Sequence, residues 1–370
     1  MRFLHNAWYV AAWSSELNLY EPLKRMLLGK PVVLFRDGEG RPAALADRCP
    51  HRFVPLSRGR LRKGVIECGY HGLRFDGTGR CVHNPHGDGQ IPEKARVASY
   101  PLQERYGAVW IWMGETECAA GTPLPAAFDY LDPRVNEVSA GLLQTRANYQ
   151  LSADNLLDLS HFQFLHPGTL GTPAIAAGTM HFEDDGETVW ARRTTRGEHL
   201  QEAIAVAFGV PKGVPVDRWF DVRWNAPGVM SIEVGVTLMG LSREFGVTSF
   251  SGHFLTPETA TSTHYFFGFG VPKTQGPTAR SLVDYAVETL MGPFRDEDLP
   301  MLEAQQQALE GQDFWAARPV VLPIDGGAVR ARRIIERKLV AEQEATRATG
   351  TLVEPAPSCP GADPRCMPIE

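Results

Sequence analysis

The sequence has few cysteines, no long apolar run and no excess of positive charge. Six cysteines among 370 residues are too few for a fold held together by disulfide bonds. No stretch approaches the ~18 apolar residues that cross a bilayer, and a net charge of −6 argues against nucleic acid as the main partner. The N-terminal residues lack a clean apolar core and a cleavage site, so no signal peptide is predicted. We therefore expect a cytoplasmic globular protein whose length suits two domains.

Two short segments of the chain each pair one cysteine with one histidine. One residue separates Cys49 from His51. Sixteen residues then lie between His51 and the second pair, Cys68 and His71. Two thiolates on one iron and two imidazoles on the other form the ligand set of a Rieske [2Fe–2S] cluster. Zinc is the alternative, but zinc sites mostly use C-x-x-C pairs. The pattern therefore predicts a Rieske cluster.

The first part of the chain, residues 1–118, reads as short strands and turns. Its β-branched runs are separated by Asp-Gly turns, which predicts antiparallel hairpins. The four cluster ligands lie in loops between these predicted strands. A further group, Cys81, His83 and His86, has no partner pair at a useful distance and is interpreted as turn and surface residues.

A Pro- and Gly-rich stretch around residues 118–125 predicts a boundary to a second domain over residues 119–345. This second part mixes long strands with helices. The clearest helices are predicted at residues 154–164, from Asp296 to about residue 309, and at 328–342. Pro, Gly, Ala and Thr predominate after that, so residues 346–370 are predicted to be a disordered tail.

The predicted helix at residues 154–164 carries Asn155, Asp158 and His161 at a spacing of three, which places them on one face. His166 lies five residues after His161, and Pro167 biases it out of the helical conformation. We therefore expect His166 to leave the helix end and bend back towards His161. Two histidines and one distant carboxylate form the iron site of a non-heme Fe(II) oxygenase.

The carboxylate of such a site must come from far along the chain. The acidic run from Asp296 through Glu297 to Asp298, at the start of a predicted helix, is the best candidate. Acidic residues in a first helical turn are also ordinary dipole and capping contacts, and histidines near a helix end are often capping or core residues. The iron interpretation is preferred because an electron-carrying cluster upstream needs an acceptor.

Together these motifs resemble the oxygenase components of Rieske non-heme iron aromatic oxygenases. Within that family the chain is most similar to the branch of vanillate O-demethylase, toluenesulfonate methyl-monooxygenase and dicamba monooxygenase. The resemblance runs from Asn6 to Ile334. Its most specific stretches are Arg48–Arg52, Cys68–Leu73, Asn155–Asp158 with His161 and His166, and Asp298 with Glu303–Gln305.

The resemblance implies an α+β protein with an N-terminal antiparallel β Rieske domain and a C-terminal helix-grip (START-like) catalytic domain. It implies that one cluster iron is held by two cysteines and the other by two histidines: Cys49 and Cys68, and His51 and His71. It also implies a mononuclear iron held by His161, His166 and Asp298. Asp296 is the fallback ligand, because Pro300 crowds the start of the helix after Asp298.

The resemblance further implies roles for neighbouring residues. Asp158 would connect, by hydrogen bonds, a cluster histidine of a neighbouring subunit to His161, and Asn155 would line the iron site. A head-to-tail homotrimer is implied, because cluster and iron of one chain are too far apart for fast electron transfer. Asn225 and His253 match substrate-pocket positions of the dicamba-type branch, although both are also ordinary as surface or core polar residues.

By the same resemblance, electrons come from NAD(P)H through a separate flavin and iron–sulfur reductase. The enzyme would use O2 to hydroxylate a methyl or methoxy group of an aromatic acid, with O-demethylation of a vanillate-like substrate as the first expectation. Two alternatives stay open. A ring-hydroxylating dioxygenase would differ in its product, and a non-catalytic Rieske electron-transfer protein with a ligand-binding domain would need no mononuclear iron.

Overall fold

A computed structural model of the protein describes residues 3–349. The first part contains ten short strands in three antiparallel sheets, with the orders β1-β10-β9, β2-β3-β4 and β5-β6-β7-β8. The strands are β1 Trp8–Trp13, β2 Leu23–Leu27, β3 Lys30–Arg36, β4 Pro42–Ala46, β5 Arg60–Arg62, β6 Val65–Glu67, β7 Arg74–Phe75, β8 Cys81–His83, β9 Leu102–Arg105 and β10 Ala108–Trp112. The predicted antiparallel β domain is therefore confirmed.

Strand β10 has both faces covered, because its successive side chains alternate between two cores. Val109 and Ile111 pack into one apolar core, whereas Trp110 and Trp112 pack into another beside Trp8 of β1. All five of these side chains are buried. A third core lies between the hairpins that flank the cysteine-histidine segments, so those segments are mounted on a packed framework.

The second part is built on one antiparallel sheet of seven strands in the order β11-β17-β16-β15-β14-β13-β12. These strands are β11 Asn136–Thr145, β12 Thr179–Asp184, β13 Thr188–Glu198, β14 Val216–Asn225, β15 Val229–Leu238, β16 Val247–Thr259 and β17 Ser262–Pro272. The helices are α1 Thr116–Gly121, α2 Tyr149–Leu157, α3 Phe162–Leu165, α4 Pro173–Ala177, α5 Glu202–Ala207, α6 Thr278–Pro293, α7 Leu299–Ala308 and α8 Gly326–Thr349. This arrangement confirms the predicted α+β class with a helix-grip second domain.

Neighbouring side chains of the long strands point to opposite faces of this sheet. Leu255, Tyr265 and Phe267 face the large core, which also receives residues of α2, α6 and α8. Phe254 and Phe266 face the other way and pack with tryptophans of the first domain. The sheet therefore has the helices on one side and the β domain on the other.

The predicted helix over residues 154–164 is wrong, because the helix ends at Leu157. Asp158 has an extended backbone (φ −122°, ψ 102°), and a 3-10 turn at Leu159–His161 then leads into α3. The Asp158 carboxylate accepts a hydrogen bond from the backbone N–H of Ser160 over 2.8 Å. Such a local side-chain contact competes with the continuation of a helix.

The acidic run was predicted to begin a helix, but it does not. It lies in a π-helical turn, Phe294–Asp298, between α6 and α7, where the N–H of Leu299 bonds to the carbonyl of Phe294. Pro300 follows immediately and has no N–H to donate. The wider turn therefore occurs where one α-helical hydrogen bond is already missing, and it sets the direction of the acidic side chains.

The last described helix, α8, is longer than predicted. It continues to Thr349, so the first four residues of the predicted tail are helical. The rest of that predicted tail, residues 350–370, lies outside the described residues, and so do Cys359 and Cys366. Over the described range, no helix combines the length and the apolar character needed to cross a membrane.

Candidate metal centres and the adjoining cavity

The two cysteine-histidine loops have the same backbone hydrogen bonds. The N–H of Cys49 bonds to the carbonyl of Val54, and the N–H of Cys68 bonds to the carbonyl of Leu73. In each loop the carbonyl of the cysteine accepts the N–H four residues on, from Phe53 and Gly72. These two residues have φ values of 60° and 74°, the left-handed conformation that suits glycine. The loops are therefore two copies of one ligand-presenting turn.

Phe53 adopts this conformation although it has a side chain. The guanidinium of Arg48 stacks over its ring at 4.0 Å from the centroid. This cation–π contact helps to hold the exposed loop in place. At the matching position of the other loop, a Cβ on Gly72 would lie 3.2 Å from the ring of Pro85, so a small residue is suited there.

The two loops bring all four predicted cluster ligands together. Cys49 and Cys68 are buried and contact each other, and both are free of disulfides. The rings of His51 and His71 lie 4.6 Å apart, with His51 exposed and His71 half-buried. Two inner thiols and two outer imidazoles fit the Rieske ligand set of two cysteines and two histidines.

The group Cys81, His83 and His86 differs in part from its interpretation as turn and surface residues. Cys81 is buried in strand β8, because its side chain packs into the core of the cluster-binding hairpins. His86 is exposed, and its Nε2 lies 2.8 Å from the backbone oxygen of His71. The side chain of His86 therefore contacts the backbone of one of the two ligand loops.

The second predicted ligand set converges at the ends of α2, α3 and the π-helical turn. His161, His166 and Asp298 place one ligand atom each within 4.8 Å of the others. Oδ1 of Asp298 lies 3.2 Å from Nε2 of His166 and 3.4 Å from Nε2 of His161. Two imidazoles and one carboxylate around one point fit the donor set of a non-heme Fe(II) site.

The acidic run contributes Asp298 to this group and turns Asp296 away from it. Asp296 is exposed and forms an ion pair with Arg295 over 2.7 Å. Burial raises the pKa of the Asp298 carboxyl, but hydrogen bonds to His161 and His166 outweigh this effect and lower the pKa to about 2. Asp298 is therefore a carboxylate, the form that binds metal.

Each of the two histidines uses Nδ1 for a contact outside the group. Nδ1 of His161 lies 2.6 Å from the backbone oxygen of Asp158. Nδ1 of His166 contacts the carboxylate of Glu297, which also accepts the Thr169 hydroxyl over 2.9 Å. Both Nε2 atoms are thus directed to Asp298. Such outer contacts set the tautomer and orientation of metal-binding histidines.

The contact of Glu297 with His166 was not predicted from the sequence, although Glu297 lies inside the acidic run. Glu297 precedes Asp298, and the π-helical turn directs both side chains to His166. Asn155, which was expected to line the iron site, donates its amide to Oδ1 of Asp298 over 3.0 Å and lies 3.5 Å from Nε2 of His161.

Asp158 is placed differently from the prediction of one shared helical face. Its backbone carbonyl, rather than its carboxylate, contacts His161. The carboxylate caps the turn at Ser160, lies 3.8 Å from Nη2 of the buried Arg193, and keeps a side-chain exposure of 19%. This partial exposure leaves the carboxylate accessible from outside the chain.

A cavity of about 130 Å³ opens beside the second ligand set. Its wall is predominantly apolar and comes from α2, α5, α6 and the helix-facing side of the sheet. Polar groups in the wall are few, as in most small-molecule sites. The lining includes Asn155, His161, Phe162, Leu170, Ile204, Phe208, Arg218, Phe220, Ile232, Val234, Ser249, Ser251, His253, Phe269, Thr289, Leu290, Phe294 and Asp298.

His253 is one of the polar residues in this wall. Its ring lies 2.8 Å from the hydroxyl of Ser251 on one side and 2.8 Å from the hydroxyl of Tyr265 on the other. Burial lowers the pKa of His253 to about 3, so the ring is neutral near pH 7. A neutral ring between two hydroxyls can donate one hydrogen bond and accept another.

Asn225, the other predicted substrate residue, does not line the cavity. It ends strand β14, and its amide donates to the hydroxyl of Thr188 over 2.8 Å. The strand places it at a separate surface groove beside Ala226 and Lys338. The prediction for Asn225 is therefore corrected: the β14 residues in the cavity wall are Arg218 and Phe220.

Comparison with known families divides the chain in two. Residues 7–101 match the Rieske [2Fe-2S] domain, and residues 145–341 match the vanillate O-demethylase oxygenase C-terminal domain. The first match contains all four cysteine and histidine residues of the candidate cluster. The second contains His161, His166 and Asp298.

Several characterised proteins are similar to this chain over almost their whole length. The oxygenase component of chloroacetanilide N-alkylformylase from Rhizorhabdus wittichii is 38% identical, over 92% of this chain and 97% of the relative. The oxygenase component of dicamba O-demethylase from Stenotrophomonas maltophilia is 38% identical, over 91% and 98%. The vanillate O-demethylase oxygenase subunit from a Pseudomonas species is 35% identical, over 94% and 98%.

A solved structure supports the same grouping. Dicamba monooxygenase bound to 3,6-dichlorosalicylic acid superposes with a TM-score of 0.85 at 36% sequence identity. The superposition covers 93% of this chain and 99% of that one. Another structure of dicamba monooxygenase, with non-heme iron and dicamba, has a TM-score of 0.77 at 35% identity.

Proposed function

Since this chain belongs to the family of Rieske oxygenase components that includes the vanillate and dicamba O-demethylases, we propose that it hydroxylates a methyl or methoxy group of an aromatic acid. It would use O2 and electrons that a separate reductase delivers. O-demethylation of a vanillate-like substrate is the proposed reaction. Hydroxylation of a methoxy carbon gives a hemiacetal, which collapses to a phenol and formaldehyde.

One observation carries this proposal. His161, His166 and Asp298 converge at the wall of an apolar cavity that also contains Asn155 and His253. A pure electron-transfer protein would need neither a second ligand set nor an apolar cavity next to it. We therefore favour an enzyme over a Rieske protein with a passive ligand-binding domain.

The proposed ligands follow from the same geometry. Cys49 and Cys68 would hold one iron of the [2Fe–2S] cluster, and His51 and His71 the other. The mononuclear iron would be held by three residues of the second domain: His161, His166 and Asp298. When bound, this iron supplies the activation of O2 for insertion of one oxygen atom into a C–H bond.

The protein groups around the ligands have separate tasks. Glu297 and the carbonyl of Asp158 orient the two histidines, and Asn155 holds the Asp298 carboxylate through its amide. Apolar side chains such as Phe162 and Phe220 exclude water from the reacting methyl group. The domain limits that we propose are residues 1–118 for the cluster domain and 119–345 for the catalytic domain.

The relatives are named oxygenase components, which implies a separate reductase for this chain as well. We propose a flavin and iron–sulfur protein that oxidises NAD(P)H. A head-to-tail homotrimer is also proposed, in which His51 or His71 of one chain approaches Asp158 of the next. The exposure of His51 and the partial exposure of Asp158 support this arrangement. A cytoplasmic location stays a prediction.

The test is product analysis with purified oxygenase, a flavin and iron–sulfur reductase, NADH and O2. A panel of methoxybenzoates, toluates and toluenesulfonates separates methoxy from methyl substrates. We expect formaldehyde and a phenol from a methoxybenzoate, with one O2 consumed for each formaldehyde. A cis-dihydrodiol as the main product would indicate a ring dioxygenase. A protein that lacks mononuclear iron and forms no product would indicate an electron carrier.

A further inference from the structure

The wall of the cavity contains one cationic side chain that the proposed mechanism does not use. Among the described residues that line it, Arg218 on β14 is the only lysine or arginine. Its side chain is 4% exposed. A buried guanidinium is rare in an apolar wall unless other groups compensate its charge and occupy its N–H groups.

A buried carboxylate compensates part of this charge. Nη1 of Arg218 lies 3.2 Å from Oε1 of Glu198, which is itself buried. Glu198 also accepts the hydroxyl of Thr172 over 2.8 Å and that of Thr195 over 2.6 Å. Three donors thus share the carboxylate, and this network holds the guanidinium in one place.

The guanidinium keeps a donor that nothing in the described chain accepts. The Nε–H of Arg218 is buried and has no hydrogen-bond partner among residues 3–349. Folded proteins rarely leave a buried N–H unpaired, because the lost hydration is not replaced. Glu198 contacts the guanidinium at Nη1, and no described residue accepts a hydrogen bond from Nη2, so a group that enters the cavity can accept one there.

Two aromatic rings connect the candidate iron ligands to Arg218 through a series of contacts. The ring of Phe162 is 5.3 Å from that of His166 and 6.0 Å from that of Phe220. The guanidinium carbon of Arg218 is 4.3 Å from the centroid of Phe220. An aromatic ligand that packs along Phe162 and Phe220 could therefore contact both the histidines and Arg218.

We propose that Arg218 binds the anionic oxygen group of the substrate, a carboxylate or a sulfonate, and thereby directs the opposite methyl group to the iron ligands. This inference rests on the proposed function, because it takes an aromatic acid as the substrate. An anion in an apolar cavity needs a cation or several N–H donors. Arg218 supplies both, and the hydroxyls of Thr172 and Thr195 reduce the repulsion from Glu198.

The experiment measures binding rather than turnover. Isothermal titration of the anaerobic, iron-loaded oxygenase compares 4-methoxybenzoate with 4-methoxybenzamide, which has nearly the same shape and no charge. Arg218→Gln alone leaves Glu198 buried without its partner, which risks unfolding. The informative variant is therefore Arg218→Gln combined with Glu198→Gln, with the single Glu198→Gln variant as its reference.

We expect the double variant to bind 4-methoxybenzoate about tenfold to a hundredfold more weakly than the reference, the range for a hydrogen bond to a charged group. Binding of the amide should change less than threefold. Arg223→Gln is the matched control, because Arg223 lies on the same strand, contacts the carbonyl of Ala126 and is absent from the cavity wall. This control should leave both dissociation constants unchanged.

An equal loss for acid and amide, or no loss for the acid, would overturn the role of Arg218. So would the failure of every methoxybenzoate, toluate and toluenesulfonate to bind the wild-type protein. The proposed function fails separately. Binding of the acid through Arg218 without formation of phenol or formaldehyde would reject O-demethylation and keep this inference. Demethylation with an unchanged KM in the double variant would support O-demethylation and reject the role of Arg218.

Discussion

Nδ1 of His161 lies 2.6 Å from the backbone carbonyl oxygen of Asp158, so the imidazole donates its Nδ1–H to the main chain. The extended backbone of Asp158 makes this contact, because it ends α2 and points the carbonyl at the following turn. The arrangement directs Nε2 of His161 to Asp298. It also leaves the Asp158 carboxylate available to a group from another chain.

Replacement of Asp158 by asparagine should keep both metal sites and nearly abolish turnover. Asparagine can still cap the turn at Ser160 and leaves the backbone contact to His161 intact, so iron content should not change. The loss of charge should lower turnover about 100-fold, by weakening the proposed link to a neighbouring cluster histidine. Iron analysis and product formation are measured on the same preparation. Loss of mononuclear iron, or near-normal turnover, would contradict this role.

Asp298→Asn should lose the mononuclear iron, because the amide is a poorer ligand than the carboxylate that now contacts both histidines. Wild-type protein is expected to contain three irons per chain with the two sulfides of the cluster, and the variant two irons. Asp296→Asn is the matched control, since its exposed carboxylate pairs with Arg295. Iron and acid-labile sulfide assays decide the outcome. Iron loss from the Asp296 variant alone would show that Asp296, and not Asp298, is the iron ligand. Stoichiometric zinc in the wild-type protein would reject the assignment of iron to these sites.

Glu297→Gln should weaken the retention of mononuclear iron without affecting the cluster. The carboxylate contacts Nδ1 of His166, and outer contacts of this kind change metal affinity by about 10- to 100-fold. Competition with a ferrous chelator measures the affinity, and the visible spectrum of the cluster reports its integrity. Asp296→Asn again provides the control for loss of one negative charge in the same turn. Equal iron retention in the two variants would show that Glu297 does not orient His166.

The buried ring of His253 should make the protein less stable in mild acid. Burial lowers its pKa to about 3 from the usual 6.5. Between these values the unfolded chain binds a proton that the folded chain does not, so stability falls as the pH falls. The loss between pH 7.5 and pH 5 should be about 2 kcal/mol.

The measurement is the free energy of unfolding in urea at these two pH values. His253→Gln should show a pH dependence that is smaller by about 2 kcal/mol than that of the wild type. The comparison of two pH values removes any constant destabilisation from lost contacts with Ser251 and Tyr265. His181→Gln, at an exposed histidine on β12, is the control. The same pH dependence in wild type and His253→Gln would disprove the expectation.

The sequence by itself determined the pairing of each cysteine with its histidine, because both belong to one short loop whose backbone hydrogen bonds hold them together. It also determined the β domain, the long strands and the exit of His166 from its helix before Pro167. These features depend on neighbours within a few residues. Spacing and local conformational preference therefore carry the information.

Only the tertiary structure decided which distant groups meet. The π-helical turn directs Asp298 and Glu297 to His166 and turns Asp296 outward, and no local pattern distinguishes these three acids. The end of the helix before Asp158 was also not predicted from the sequence. The hydrogen bond from the Ser160 N–H to the Asp158 carboxylate outweighed a helical pattern of residues. Asn225 and Arg218 lie on one strand, but the cavity wall includes only Arg218. Packing across the sheet selects which of its residues face the site, and it depends on the whole chain.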